Sequence, residues 1–324
     1  MRVLIIKLTS MGDLMHAFPA LSDAVKQYPD ITFDWVVDEG FMEVPLWHPS
    51  VKRVITTAHR RWKKNLFQCW KRGELHAFYR QLNLNAYDVV VDLQSNLKSA
   101  IVSWLRRTPV HGYNKHTCRE KPAHWAYDTH YHIELRQHAI ERQRELMAKV
   151  LGYEKPASLP NYGVNISQCQ LPSFKLPEKY VVFVHNASKP TKLWPVDYWQ
   201  QLIRQVSHQD YSVLLPCGND SEYQRAQLIA KDHPAAIALP KVSLGEMAAV
   251  MSQAKVAVCS DTGLAHMAAV LSIPAITLYA VTDTMLIGTV GQHQQHIIAD
   301  KHSLNANMKA ISADEVWNLL KPLL

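Results

Sequence analysis

An α/β fold made of two similar halves, each with a mostly parallel sheet, is what this sequence predicts. Three observations predict it. Short runs of β-branched and aliphatic residues alternate with stretches of helical periodicity, the pattern of strand–helix–strand units. The chain has 324 residues, and domains usually run to about half that or a little less. A stretch of weak periodicity around 155–178, carrying Pro156, Pro160, Pro172 and Pro177, is followed by a restart of the same alternation.

Taken in order, residues 3–6 (Val-Leu-Ile-Ile) read as a buried strand and 7–13 as the loop after it. Residues 17–28 have helical spacing, with Pro19 tolerated in the first turn. Further strands are expected at 33–37, 51–55 and 87–93, and a helix over about 97–107. The second half repeats the scheme, with strands at 180–185, 212–216, 256–259 and 275–279 and helices near 195–207 and from Ser221. A last helix, 312–324, is expected to pack back on the first domain, so the domains read as 1–165 and 166–311 plus that helix. Ligands of such sheets bind beyond the carboxyl ends of the strands. With two facing halves, the site is expected in the cleft between them.

Composition narrows the partners. The net charge is +7 and the pI about 9.0, which suits an anionic partner: a phosphate, a nucleic acid or an acidic membrane surface. No uncharged apolar run reaches the ~20 residues of a membrane-spanning helix, so none is expected. The five cysteines (Cys69, Cys118, Cys169, Cys217, Cys259) are scattered and form no CxxC pair. They read as reduced thiols rather than as a disulfide or zinc framework. His111, His116, His124, His130, His132 and His138 crowd one region but form no HExxH and have no carboxylate or cysteine at a ligand offset, so no metal site is expected.

Three loops carry candidate chemistry. Ser260-Asp261-Thr262-Gly263-Leu264-Ala265-His266 follows a strand and opens a helix. Free N–H groups and the positive end of the dipole favour a phosphate there, and His266 falls one turn on, on the same face as Thr262 and Gly263. The plainer reading is that Asp261 and Thr262 cap the helix. A second strand-to-helix loop, His185 to Pro195, offers Ser188 and Lys192 as donors to a diphosphate; the alternative is a solvated polar loop. In the first half, Thr9-Ser10-Met11-Gly12-Asp13 occupies the corresponding position. Gly12 allows a tight turn, and Asp13 is either a general base for an acceptor hydroxyl or a helix cap. No P-loop and no GxGxxG is present. The stretch 59–72 mixes Arg60, Arg61, Lys63 and Lys64 with Trp62, Phe67 and Trp70, and Arg119 extends its charge. It reads as an anionic-lipid or nucleic-acid surface, or as a solvated helix face.

Ser10-Met11-Gly12-Asp13, Lys192-Leu193-Trp194-Pro195 and Asp261 to His266 together resemble the bacterial ADP-heptose:lipopolysaccharide heptosyltransferases, over nearly the whole chain and closest to type I. The resemblance implies a GT-B fold of two Rossmann-like domains. It implies inverting transfer of L-glycero-D-manno-heptose from ADP-heptose to a Kdo residue of Kdo-lipid A, without metal or other cofactor. The enzyme would be a monomer, peripheral on the cytoplasmic face of the inner membrane, with no nucleic-acid partner. Asp13 matches the family's base. Ser188, Lys192, Glu222, Val242, Asp261, Thr262, Gly263 and His266 match donor positions. Ser10, Met11, Gly12, Arg60, Arg61, Lys63, Lys64 and Arg119 are the implied acceptor contacts. Two positions depart from the family pattern: Ala187 replaces a hydroxyl residue, and Ala280-Val281 stand where Gly-Pro is usual. The alternatives are heptosyltransferase II, another nucleotide-sugar transferase of this fold, or a non-catalytic anionic-lipid or nucleic-acid binder.

Overall fold

The computed structural model describes residues 1–187, 189–299 and 307–324. It divides into two compact units, Met1–Asn165 and Ile166–Leu324.

The first unit holds β1 (Arg2–Ile6), β2 (Thr32–Asp38), β3 (Val51–Thr57), β4 (Val89–Asp92), β5 (Val110–Tyr113) and β6 (Thr129–Tyr131), all parallel in the order β3-β2-β1-β4-β5-β6. Val3, Leu4, Ile5 and Ile6 are wholly buried. A central parallel strand is covered on both faces, so it needs an unbroken apolar run rather than an alternating one. Ile5 lies opposite Trp35 on one side and Val91 on the other. The helix Phe18–Gln27 covers one face, and the helix Ala139–Leu151, which the sequence reading missed, packs on it. Between those helices the buried pair Asp23–Arg144 closes at 2.6 Å.

The second unit repeats the plan with β7 (Tyr180–Val184), β8 (Ser212–Leu215), β9 (Ala236–Ala238), β10 (Ala257–Ser260), β11 (Ala275–Tyr279) and β12 (Gln294–Ile298), parallel in the order β12-β11-β10-β7-β8-β9. Each unit, counted by itself, thus has the doubly wound strand order of a nucleotide-binding domain. The order reverses between β1 and β4, and again between β7 and β10. The loops leaving those pairs run to opposite faces of the sheet, which opens a crevice at the carboxyl ends of the strands.

Two expectations are corrected. Residues 11–15 are a short helix, Met11–Met15, so Gly12 is a buried helical residue rather than the pivot of a tight turn. The last helix, Ala313–Leu320, does not belong to the first unit. Its Val316 and Leu320 are wholly buried in one apolar cluster with Trp194, Trp199 and Ile203 of the second unit. The helix is amphipathic and had to bury its apolar stripe; the stripe finds the helix Val196–Ser207 next to it.

Candidate active site

In the first unit the loops after β1 and β4 are stapled at the point where strand order reverses. Gln94 Oε1 accepts the N–H groups of Leu8 (3.0 Å) and Thr9 (3.3 Å), and Lys7 Nζ donates to Leu93 O (3.1 Å). Asp13 follows, at the third position of the helix that Ser10 opens. Its Oδ2 accepts both the N–H (3.1 Å) and the Oγ–H (3.0 Å) of Ser10. The capping reading is therefore correct for one oxygen, and the same bonds fix the carboxylate at the switch point. Burial works to raise the Asp13 pKa, but Lys7, the two Ser10 bonds and Arg119 outweigh it and hold the carboxyl below its ordinary range. Lys7 is 5% exposed. Burial pushes its ammonium down to about 8 against the opposing pull of Asp13 and Asp92. Asp92, at the end of β4, accepts the N–H groups of Gln94 (2.7 Å) and Ser95 (3.0 Å) and the Tyr127 hydroxyl (2.8 Å). Ser95 Oγ in turn accepts the Arg119 N–H at 3.1 Å, which places the exposed Arg119 side chain within electrostatic reach of Asp13.

The basic stretch is partly committed already. Arg61 is paired with Glu39 (3.0 Å) and Glu74 (2.5 Å), so its charge is internally balanced. Trp62 Nε1 also donates to Glu74, at 3.1 Å. Arg60, Lys63 and Lys64 are exposed. Ser10 is exposed at the helix start, and Met11 is half-buried beside it.

In the second unit the corresponding loops after β7 and β10 also meet. Lys192 Nζ lies 2.5 Å from Asp261 Oδ2, and the Thr282 hydroxyl bonds the same oxygen. Trp194 explains why Lys192 is held there. The indole is wholly buried, packs edge-on against Trp199 (centroids 4.8 Å apart, 89°) and donates from Nε1 to Ile311 O at 2.8 Å. Two residues upstream of that anchor, Lys192 has little freedom. Thr262 is the cap residue of the helix Gly263–Val270, yet its side chain makes no capping bond and its Oγ1 is buried without a partner. Asp261 lies outside that helix and is engaged by Lys192. Neither residue acts as a side-chain cap of this helix, so the expected capping is not what occupies their side chains. His266 is half-buried one turn further on.

Beyond β8, Glu222 Oε2 accepts the Gly218 N–H (2.6 Å) and approaches Asn186 Nδ2 (3.4 Å). Val242 is half-buried just before the helix Leu244–Ser252. Ser188 lies outside the described residues. The loop 280–283, where the sequence departs from the family pattern, runs from β11 to Asp283, which caps the turn Thr284–Ile287 by accepting the Met285 N–H at 3.1 Å. Sequence reasoning missed Lys7, Asp92, Gln94 and Thr282. For Lys7 and Asp92 the one available signal was a polar residue closing a buried apolar run; Gln94 and Thr282 lie in the loops beyond and gave none. Among the described residues, no three His, Cys, Asp or Glu side chains gather as a metal site.

Two strand-order switch points with polar loops suit a sugar-nucleotide transferase, and comparison with known proteins decides the matter. Residues 75–316 match the family model described as glycosyltransferase family 9 (heptosyltransferase). The chain belongs to that family. Lipopolysaccharide heptosyltransferase 1 of Pseudomonas aeruginosa is 42% identical over 93% of this chain and 84% of the relative. That of Escherichia coli K12 is 42% identical over 96% of this chain and 98% of the relative. The solved E. coli heptosyltransferase WaaC with ADP superposes with a TM-score of 0.92 at 39% identity, covering 100% of both chains. E. coli ADP-heptose lps heptosyltransferase II shares the fold, with a TM-score of 0.78 at 19% identity over 100% of this chain and 98% of that one. The transferase thus has the α/β, GT-B-like architecture of these enzymes, with two parallel six-stranded sheets.

Proposed function

We propose that this transferase moves L-glycero-D-manno-heptose from ADP-heptose to a Kdo residue of Kdo-lipid A, with inversion, and that Asp13 is the general base. The observation that carries the reading is Asp13 itself: a half-buried carboxylate, fixed by Ser10 at the switch point and kept ionised by Lys7 and Arg119. An acceptor hydroxyl gives its proton to Asp13 as its oxygen attacks the anomeric carbon, and ADP departs from the opposite face. The oxygen that receives the proton is Oδ1, since Oδ2 already serves Ser10.

The second unit supplies the donor site. A departing diphosphate needs neutralisation. Lys192, the Thr262 hydroxyl and the N–H groups at Thr262 and Gly263 provide it, with Ser188 as a further phosphate contact. Glu222 takes the ribose hydroxyls, Val242 lines the adenine, and Asp261 and His266 hold the heptose. Ser10, Met11 and Gly12 flank the acceptor hydroxyl. Arg60, Lys63, Lys64 and Arg119 meet the carboxylates and phosphates of the acceptor, whereas Arg61 positions its helix through Glu39 and Glu74. A lipid-borne acceptor puts the enzyme, as a monomer, on the cytoplasmic face of the inner membrane.

The reading is tested with Asp13→Ala. General-base catalysis contributes about 10²–10⁴-fold. The variant is expected to lose transfer by that factor while its ADP-heptose affinity, measured calorimetrically, changes little. Near-normal turnover would remove Asp13 from its role.

A further inference from the structure

The helix Leu97–Trp104 follows β4 and buries only one side. Ala100 and Val102 are inside, while Leu97 (46% exposed), Ile101 (49%), Trp104 (57%) and Leu105 (37%) lie at the surface. Their spacing of four, three and one places all four on one face of the helix. Trp125, 71% exposed, sits on the turn Lys121–Ala126 packed against this helix. The Leu97 N–H is tied to Glu120 Oε2 at 2.9 Å. Earlier in the chain, the short helices His59–Lys64 and Leu66–Lys71 form a stretch that exposes Leu66 (59%), Phe67 (64%) and Trp70 (65%). His59, at its start, lies within electrostatic reach of Lys98 on the helix Leu97–Trp104.

Contiguous apolar side chains of this size, aromatic in part, are unusual on a surface that meets only water. Their setting indicates the occupant. Lys98, Arg107 and Lys121 are exposed around the helix Leu97–Trp104, and Lys63, Lys64, Lys71 and Arg72 around the earlier stretch. No acidic residue occurs in 59–73, 97–107 or 121–126. Two carboxylates border these elements, Glu120 held by the Leu97 N–H and Glu74 paired with Arg61, and the exposed cations outnumber them; apolar side chains rimmed by such an excess of cations match the boundary of an anionic bilayer. A second protein chain would more often bring charges of both signs. None of these apolar residues serves the transfer chemistry described above.

We propose that the outer face of Leu97–Trp104, with Trp125, seats the first unit on an anionic lipid bilayer. Leu97, Ile101, Trp104 and Trp125 enter the headgroup–acyl boundary, and the surrounding lysines and arginines meet lipid phosphates. This names the surface behind the membrane-borne acceptor of the proposed function, but the contact needs neither donor nor acceptor.

The test is co-sedimentation of the full chain with phosphatidylcholine vesicles, with and without phosphatidylglycerol, in the absence of ADP-heptose and acceptor. Binding is expected to the anionic vesicles, to weaken with salt, and to shift tryptophan emission to the blue. The double variant I101S/W104S is expected to bind at least about tenfold more weakly. Its unfolding midpoint and its transfer to a water-soluble Kdo acceptor stay as in the parent. Trp125→Ser, on a separate element, repeats the test should the double variant fail to fold. The proposal is overturned if the parent ignores anionic vesicles or if the variants bind as it does. It is overturned too if the parent is a dimer that I101S/W104S dissociates without change in vesicle binding. Because no substrate is present, an Asp13→Ala result of either kind leaves this outcome untouched.

Discussion

Asp13 owes its charge to its neighbours. Burial alone would favour the neutral acid, and Lys7 is the strongest of the groups that oppose it. Lys7→Met removes that cation with little change of volume. The Asp13 pKa then rises, so the proton acceptor is lost at a higher pH. The acid limb of the kcat/KM profile is expected to move up, with the donor affinity unchanged, and Lys7→Arg is expected to restore part of the shift. An acid limb that stays in place would show that Lys7 only fills space. Asp13 was legible in the sequence because Ser-Met-Gly-Asp after a strand is a recognisable motif. Lys7 was not, since a lysine ending an apolar run gives no sign that its ammonium is turned inward under Leu93. Arg61 taught the opposite lesson. Its charge was plain, but Glu39 and Glu74, 22 and 13 residues away, could not be paired with it from the sequence.

At the scale of elements, the donor loop is set by packing behind it. Trp194 is pinned between Trp199 and the Ile311 carbonyl, and this fixes Lys192 beside Asp261. The strands that were readable are continuous apolar runs, as buried parallel strands are; β5, β6, β9 and β12, short or carrying exposed or polar residues, were not found. The last helix showed its amphipathic period, but a stripe specifies only that it needs an apolar partner, not which one. Its place in the second unit makes a measurable prediction. Leu320→Ala should cost about 2–5 kcal/mol, as for other large-to-small core changes. Hydrogen exchange should quicken in β7 and β8 while β1 and β4 keep their protection. Faster exchange confined to β1 and β4 would return the helix to the first unit.

At the scale of the molecule, both units carry a deeply shielded histidine whose pKa is depressed, His48 in the first and His185 in the second. Burial pushes His48 down to about 4 in the first unit, and burial with the nearby Arg225 pushes His185 down to about 3 in the second. Unfolding frees both to take up protons near pH 6.5. Their contribution to stability is therefore complete above that pH and is lost as pH falls towards 4. Both units should melt at lower temperature at pH 5 than at pH 7, with both imidazoles still neutral by NMR at pH 5. Protonation of either at pH 6 in the folded protein would contradict this.

The same strand order recurs in both units, and the proposed function divides the work between them, with the nucleotide sugar in the second and proton removal in the first. The most direct test is mass spectrometry of the product when the enzyme is given Kdo-lipid A with ADP-heptose, or with UDP- and GDP-sugars in parallel, in the presence of EDTA. The account predicts addition of one heptose, from ADP-heptose alone and undiminished by the chelator. No heptosylated product, or equal transfer from a UDP- or GDP-sugar, would contradict it.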